Sequence, residues 1–453
     1  MATQPTSDRG VWSGKLGFVL AAAGSAVGLG NIWRFPYMAS EGGGGIFLLV
    51  YLACVLSIGV PVLFTELALG RATERNPVGA FRALAPGSAW PLLGVMGVLA
   101  GFFILAFYSV IAGWTVGYLW MAVMGRFGPG LEAEASGGMF TAFIGSGGVA
   151  VGLTALFLFM TAVVVRGGVS AGIERASKIL MPVLLGVLFV LLIRAVTLPG
   201  AGAGLAYFLR PDLSELSPRI VVLAVGQALF SMSLGMGTMI TYGSYFPKEQ
   251  SLPFAGISVA LADTFVAVLA GLIIFPALFS AGGEVQGGPG LVFVVLPTVF
   301  AAMPFGYFFG ILFFICLVIA ALTSTISLLE VVVAYFVDER GWKRHKAAAV
   351  VSTACLALAI PSALSQGGSA WFTEVGWLDI QNIIWGNYAL SVGAIFICVF
   401  AGWRWGTDKL LQYVEMGGNA VPGRAVLAVV VKYIAPLAIA AVLTFIIVTR
   451  QYF

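Results

Sequence analysis

Residues 24–37 read GSAVGLGNIWRFPY, and this stretch lies within the first long apolar segment of the chain. Three glycines and Pro36 weaken a helix there, while Asn31 and Arg34 are side chains that are costly in lipid. Irregular backbone is tolerated at membrane depth only where protein or a water-filled cavity covers it. An interrupted helix with free carbonyls and a few polar side chains is typical of a site for a small cation and a solute.

The composition is that of a helical protein that crosses a membrane many times. Of the 453 residues, 60% are hydrophobic and 9% are charged. The net charge is +4, and the basic residues are scattered through short loops, so we expect a lipid bilayer and no nucleic acid as a partner. The four cysteines lie in apolar segments and are expected to be small buried residues. The only histidine, His345, lies in the basic run WKRHK and is expected to be a solvated loop residue.

Apolar runs of about 20 residues predict eleven membrane-spanning helices. They cover residues 16–38, 44–70, 90–125, 147–165, 176–196, 219–246, 254–280, 300–338, 347–363, 375–401 and 424–449. With the N-terminus in the cytoplasm, most loop lysines and arginines fall on the cytoplasmic side, and the C-terminus lies outside. The polar N-terminus shows no cleavage-site pattern, so we expect a retained first span and a multi-pass protein of the cell's inner (plasma) membrane.

The first and sixth predicted spans share a weak internal sequence similarity. Residues 28–31 read GLGN and residues 235–238 read GMGT, and five spans separate the two segments, so they run in opposite directions. Two interrupted spans at corresponding positions of two halves predict a transporter site built on an inverted repeat. For any single glycine, close helix packing is the alternative.

The chain resembles the neurotransmitter:sodium symporter family over most of its length. The matching stretches are residues 24–51, 61–71, 107–114, 172–182, 225–245 and 321–327, and GLGNIWRFPY (28–37) is highly specific. The resemblance implies an all-α polytopic membrane protein of the LeuT type, a 5+5 inverted repeat with broken helices 1 and 6. Within a single transporter domain (1–453), the repeats would cover 16–196 and 219–401, with an additional eleventh helix at 424–449.

The same resemblance implies two bound sodium ions (Na⁺), which as hard cations take oxygen ligands. The first would be held by the Ala26 carbonyl, Asn31, Ser231, Asp263 and the substrate carboxylate. The second would be held by the carbonyls of Gly24, Val27 and Ala320 and the hydroxyls of Thr323 and Ser324. From the residues alone, a lone hydroxyl in a helix usually bonds the preceding turn, but the cluster at 323–325 favours a ligand role.

Asp263 departs from the family's pattern. Counted back from Pro276, Ala262 occupies the position of the family's asparagine, whereas counted from Gly271, Asp263 does. We assign Asp263, because only it can ligate sodium; an acid that lines a pore or pairs two helices is the alternative. A fixed negative charge at the first sodium also predicts chloride-independent transport.

Gly28 indicates the substrate class. By resemblance, relatives that carry monoamines have an aspartate here, whereas glycine leaves room for the α-carboxylate of an amino acid. The resemblance places the substrate against Ala26, Gly28, Leu29, Gly30, Ile104, Tyr108, Phe230, Ser231, Ser233, Met236, Ser324 and Leu328. These side chains offer no charge, so we expect a hydrophobic L-amino acid, leucine-like or aromatic such as tryptophan. Core packing alone is the alternative for each apolar member.

Gates follow from the same resemblance. On the outer side they comprise Arg34 and Asp379 over a lid of Tyr108 and Phe230, and on the inner side Arg9, Asp338, Trp12, Ser244 and Tyr245. The expected function is sodium-coupled import by alternating access. An enzyme is not expected, because the apolar segments hold no nucleophile–base pair. A non-transporting membrane sensor or a sodium-permeable channel that retains the fold is the alternative.

Overall fold

The computed structural model describes residues 12–282, 290–417, 420–421 and 423–452, and no β-strand occurs within these ranges. The predicted all-α class is therefore confirmed for the described residues. The helices before residue 218 are α1 (Lys15–Ala26), α2 (Gly30–Glu41), α3 (Gly45–Thr73), α4 (Pro77–Leu84), α5 (Pro91–Val123), α6 (Ala133–Gly145), α7 (Gly147–Arg166), α8 (Val169–Val196) and α9 (Ala201–Leu209).

The second half repeats the alternation of long apolar helices and short connections. Its helices are α10 (Pro218–Ser231), α11 (Thr238–Gly243), α12 (Leu252–Ser280), α13 (Leu291–Ala302), α14 (Gly306–Arg340), α15 (Arg344–Leu364), α16 (Ala370–Val375), α17 (Trp377–Glu415) and α18 (Arg424–Thr449). Several contain a π-helical turn, such as Gly30–Arg34 at the start of α2.

Among the described residues, nine helices are long and apolar enough to cross a membrane. They are α3, α5, α7, α8, α12, α14, α15, α17 and α18. The pair α1 and α2, bent by 47°, makes a tenth when counted as one span. The predicted span 219–246 divides into a helix of 14 residues and one of 6 residues, so the count of eleven stays a prediction.

The first predicted break is confirmed at residues 27–29. Val27 leaves the helix in an extended conformation (φ −72°, ψ 100°), and helical structure resumes at Gly30. The last carbonyls of α1 therefore lose the N–H donors of a following turn. They become available to side chains or to a cation.

The second predicted break is confirmed between Ser231 and Thr238. Gly235 (φ 81°) and Gly237 (φ 75°) adopt left-handed backbone conformations, which glycine tolerates and most residues do not. Ser233 also has positive φ (55°), at a cost of about 1 kcal/mol. The sequence GMG thus permits an interruption of the helix in the middle of the span.

The two broken helices lie at the centre of the helix assembly. α1 packs against α8, α12 and α14, and α14 in turn packs along α5. This arrangement brings both breaks next to the middle of α5 and α14. The four cysteines, Cys54, Cys316, Cys355 and Cys398, are all buried and free, as the sequence predicts.

Candidate solute and sodium site

The two helix breaks are joined by side-chain hydrogen bonds to backbone carbonyls. Ser233 Oγ donates to the Ser25 carbonyl (3.2 Å), and Gln227 Nε2 donates to the Gly30 carbonyl (2.7 Å). From α14, Ser324 Oγ also donates to the Ser25 carbonyl (3.4 Å). Groups from α10, the second break and α14 thus replace part of the hydrogen bonding that the first break removes.

A narrow cavity of ≈ 20 Å³ lies between the breaks. It is lined by Ser25, Ala26, Gly28, Gly30, Ile104, Tyr108, Phe230, Ser231, Ser233, Met236, Ser324 and Leu328. This set contains every predicted substrate residue except Leu29, whose backbone N–H instead donates to Tyr108 Oη (3.0 Å), and it adds Ser25. A cavity of this size has room for only about one water molecule.

Gly28 packs closely against side chains of α14 and α5. A Cβ built at Gly28 would collide with Ser324 Oγ and would lie 3.0 Å from Tyr108 Oη. The Gly28 N–H donates to Asn31 Oδ1 (3.0 Å), which holds the unwound backbone. A larger residue at position 28 would therefore have to displace the Ser324 hydroxyl of α14.

The side chains predicted for the first sodium meet around Asp263, which is fully buried on α12. Asn31 Nδ2 donates to Asp263 Oδ1 (2.8 Å) and to its carbonyl (2.9 Å), and Ser231 Oγ donates to Oδ1 (2.7 Å). Tyr51 Oη donates to Oδ2 (3.3 Å). It is Asp263, rather than Ala262, that contacts Asn31 and Ser231.

The electrostatics of this cluster fit a monovalent cation. All hydrogen-bond donors to the Asp263 carboxylate are neutral, and no ion pair involves it among the described residues. A buried carboxylate without a cationic partner is strongly unfavourable. The described residues hold no group of three or more His, Cys, Asp or Glu side chains that could bind a metal ion. One carboxylate with neutral oxygens suits Na⁺ better than a divalent metal.

Three of the five oxygens predicted for the second sodium converge. Thr323 Oγ1 lies 3.2 Å from the Val27 carbonyl and 3.0 Å from the Ala320 carbonyl. Ser324 Oγ lies close by on the same helix but contacts the Ser25 carbonyl. Around Gly24, a Cβ would meet Met181 and Ser177 on α8 at ordinary contact distances.

The three hydroxyls at 323–325 do not face the same site. This corrects the sequence interpretation, which took them as one cluster of ligands. Thr325 Oγ1 is 2.8 Å from Thr161 Oγ1 on α7, on another side of α14. Successive residues in a helix point about 100° apart, so three neighbours cannot share one face. Only Thr323 and Ser324 face the broken helix.

The four residues predicted for the outer gate line a larger cavity of ≈ 310 Å³. Arg34 and Asp379 both border it, and Tyr108 and Phe230 border both this cavity and the narrow one. The Arg34 guanidinium lies over the Phe230 ring, 4.3 Å from its centroid. Tyr108 and Phe230 therefore separate the two cavities.

On the inner side the structure gathers part of the predicted gate, and Arg9 lies outside the described residues. Trp12 Nε1 donates to the Tyr242 carbonyl (3.1 Å), and its ring packs edge-on against Tyr245 (centroids 6.1 Å apart). Ser244 Oγ donates to the Thr241 carbonyl (2.6 Å). Trp12 thus covers the end of the second broken helix near Tyr242 and Tyr245.

Asp338 has partners that the sequence did not predict. Its Oδ2 accepts hydrogen bonds from the backbone N–H (2.9 Å) and the side-chain Nδ2 (3.1 Å) of Asn76. Asn76 also caps α4, accepting from the N–H groups of Val78 and Gly79. Asp338 therefore ties the end of α14 to the loop before α4.

Two buried acids were missed as candidate functional residues. Glu330 accepts a hydrogen bond from Tyr245 Oη (2.8 Å) and forms an ion pair with Arg344. Glu66 Oε1 accepts from the backbone N–H of Gly235 in the second break (2.6 Å). Both lie in apolar runs, LLEVVV and FTELAL, so the cost of a buried charge that drew attention to Asp263 could have identified them.

Comparison with known proteins gives consistent matches along the chain. The model of the "Sodium:neurotransmitter symporter family" matches residues 9–128 and 138–452. The chain is 38% identical over 433 residues to the uncharacterized sodium-dependent transporter YhdH of Bacillus subtilis (strain 168), covering 94% of this chain and 95% of that protein. It is 34% identical over 424 residues to the uncharacterized sodium-dependent transporter MJ1319 of Methanocaldococcus jannaschii, covering 90% and 84%.

Among solved structures, the chain is similar to MhsT, whose crystal structure was determined in complex with L-phenylalanine. The TM-score is 0.88 and the sequence identity 44%, with 96% of this chain and 99% of that chain covered. The structural similarity therefore extends over nearly the whole chain.

Proposed function

Since the chain belongs to the sodium:neurotransmitter symporter family, we propose that it imports hydrophobic and aromatic L-amino acids together with sodium by alternating access. It is a sodium-dependent membrane transporter with the LeuT-type fold, not an enzyme. The observation that carries the proposal is the buried Asp263 carboxylate, which lies beside a cavity between two broken helices and has only neutral partners.

Two sodium ions accompany each substrate in this proposal. The first binds Asp263, Asn31, Ser231 and the Ala26 carbonyl, together with the substrate carboxylate. The second binds the hydroxyls of Thr323 and Ser324 and the carbonyls of Gly24, Val27 and Ala320. The convergence of Thr323, Val27 and Ala320 supports this second set.

The substrate carboxylate lies at Gly28 in this proposal, and its side chain lies among Ile104, Phe230, Met236 and Leu328. Support comes from the uncharged lining of the cavity, which Gly28 borders. A flexible Met236 can adapt to side chains of different shapes. MhsT, 44% identical, binds an aromatic amino acid in its crystal structure.

Alternating access would use the asymmetry of the two sides. The outer cavity reaches Tyr108 and Phe230, while Trp12, Tyr245 and the Glu330–Arg344 pair close the inner side. In this proposal the outer side opens first, the N-terminus lies in the cytoplasm and the C-terminus outside the plasma membrane.

Uptake into proteoliposomes tests this function. Purified protein with an inward sodium gradient should accumulate labelled leucine above equilibrium, and a sodium ionophore should abolish the accumulation. Tryptophan and phenylalanine should compete, whereas glutamate and lysine should not. Sodium-dependent binding without accumulation would indicate a sensor, and sodium flux without leucine accumulation would indicate a channel; either result contradicts the proposal.

A further inference from the structure

A groove of ≈ 510 Å³ lies between α7 and α15, away from the central site. Alanines on both helices leave the gap, and Phe159, Val163 and Leu356 are among its apolar walls. Phe159 is 65% exposed and Val163 is 46% exposed. Because α7 and α15 are both long and apolar enough to cross a membrane, this groove opens toward lipid.

One end of the groove is basic. Arg166, the last residue of α7, and His345, the second residue of α15, both line it. Neither forms an ion pair with another described residue. The start of α15 and the end of α7 lie at this same end, so their helix dipoles offset each other and the positive charge comes from the side chains. The loop-charge pattern places this end at the cytoplasmic face.

The groove also contains a hydroxyl without a partner. Ser352 lines it, is 8% exposed, and its Oγ has no hydrogen-bond partner among the described residues. The neighbouring Thr353 follows the usual pattern, because its Oγ1 donates to the Ala349 carbonyl (2.9 Å). Seven residues separate Ser352 from His345, which is about 10 Å along the helix.

We propose that this groove binds one acidic phospholipid of the cytoplasmic leaflet. Arg166 and His345 hold the phosphate, and an acyl chain lies along Phe159 and Leu356. Protein covers the Ser352 hydroxyl in this conformation. The side chain therefore rotates about χ1 before its hydroxyl donates to an ester oxygen of the lipid. A soluble phosphate lacks the chain that the apolar walls would bury, and a zwitterionic lipid carries a cation that Arg166 repels.

Native mass spectrometry of the full chain in mild detergent tests this proposal, with phosphatidylglycerol or phosphatidylcholine of identical acyl chains added. The wild type should retain phosphatidylglycerol in preference. Arg166→Gln should weaken that retention about fivefold, since one basic residue near an anionic headgroup contributes about 1 kcal/mol. Arg404→Gln, an exposed arginine elsewhere on the predicted cytoplasmic side, is the matched control and should retain the lipid like the wild type.

A second variant tests the groove rather than the charge. Ala349→Phe fills the groove and should reduce retention of both lipids, whereas Val448→Phe, at a position 75% exposed on α18, should not. Unchanged phosphatidylglycerol binding in Arg166→Gln or in Ala349→Phe would overturn the proposal. So would displacement of the lipid by inorganic phosphate alone, or a dimer that Ala349→Phe dissociates, because the groove would then hold a second copy.

Discussion

Asp263 concentrates the charge of the proposed site in one side chain. Two sodium ions and a zwitterionic substrate bring two positive charges into a region of low dielectric, where such charge must be compensated locally. The family resemblance implies that relatives that need chloride lack such a fixed charge. In this chain the Asp263 carboxylate already lies against Asn31 and Ser231.

Transport should therefore not need chloride. Replacing chloride by gluconate should leave the uptake rate of the wild type unchanged. Asp263→Asn removes the fixed charge and should transport poorly or become stimulated by chloride. A severalfold fall of wild-type uptake without chloride would refute the charge compensation by Asp263.

The second sodium should be lost when Thr323 and Ser324 are both changed to alanine. The double variant removes two of five proposed oxygen ligands from a buried cation, at a cost of several kcal/mol. Sodium-stimulated binding of leucine, measured by scintillation proximity, should disappear. Ser327→Ala is the control, because its Oγ donates to the Ser324 carbonyl within the same helix (2.8 Å). Sodium-dependent binding of near wild-type affinity in the double variant would show that the ion lies elsewhere.

Gly28→Asp should eliminate amino-acid uptake. Its carboxylate would occupy the place proposed for the substrate carboxylate, and its Cβ would displace the Ser324 hydroxyl. Gly101→Ala is the control on α5, where the nearest atoms to a new Cβ are 3.7 Å away. Leucine uptake with unchanged apparent affinity in Gly28→Asp would place the carboxylate at another position.

At the scale of the element, the second break is held by packing as well as by glycine's conformational freedom. A Cβ on Gly235 would collide with the Leu390 carbonyl of α17, and the Gly235 N–H is bound to Glu66 on α3. The unwound segment is thus fixed from two sides. A side chain at this position has no direction in which to move.

Gly235→Ala should therefore destabilise the protein more than an equivalent change at an open glycine. Gly125→Ala is the matched control, because Gly125 has a similar φ (69°) but no atom within 4 Å of its Cβ. Both variants lose about 1–2 kcal/mol to the left-handed backbone, and only Gly235→Ala adds overpacking of about 1–3 kcal/mol. Thermal unfolding in detergent should show the lower Tm for Gly235→Ala. Equal Tm values would contradict tight packing at the break.

The two breaks could be predicted from the sequence because glycine and proline weaken a helix wherever they fall. Which side chains meet across the breaks was harder to predict. Three adjacent hydroxyls suggested one cluster, yet helical rotation turns Thr325 toward α7. Backbone carbonyls such as that of Val27 carry no signature of their own, and their assignment came from the family resemblance.

Ion pairs between different helices could not be predicted from the sequence for a different reason. Glu330 and Arg344 lie on two helices joined by a turn, and nothing in their spacing shows that α14 and α15 bring them together. The apolar run around Glu330 indicates that a charge there is costly, but it does not indicate which residue pairs with Glu330. The packing of the helices decides which residue pairs with Glu330.

Across the molecule, the side that we propose faces the cytoplasm contains a buried ion pair. Glu330 is fully buried, and its partner Arg344 also donates to the Val165 carbonyl of α7 (3.0 Å). Tyr245, near the end of the broken span, bonds to the same carboxylate. Three elements therefore share one buried charged group on the side that we propose faces the cytoplasm.

Arg344→Gln should loosen this inner side, because it leaves Glu330 buried without a cation, at a cost of about 3–5 kcal/mol. Amide hydrogen exchange in residues 238–246 should accelerate. Arg82→Gln is the matched control: it breaks the pair with Glu339, where Arg82 is 55% exposed, and such pairs contribute about 0–1 kcal/mol. Exchange that changes equally in both variants would mean that the buried pair does not hold the inner side closed.

The burial of all four cysteines makes the native chain a ready background for site-directed labelling. The four native thiols, Cys54, Cys316, Cys355 and Cys398, are all buried in the helix packing. Maleimide dyes and spin labels would therefore find none of them at the surface. A single cysteine introduced at Asn382, which lines the outer cavity, would then carry the only reporter group. The opening and closing of the outer cavity could then be followed by the fluorescence of a single attached dye, without first replacing residues of the core.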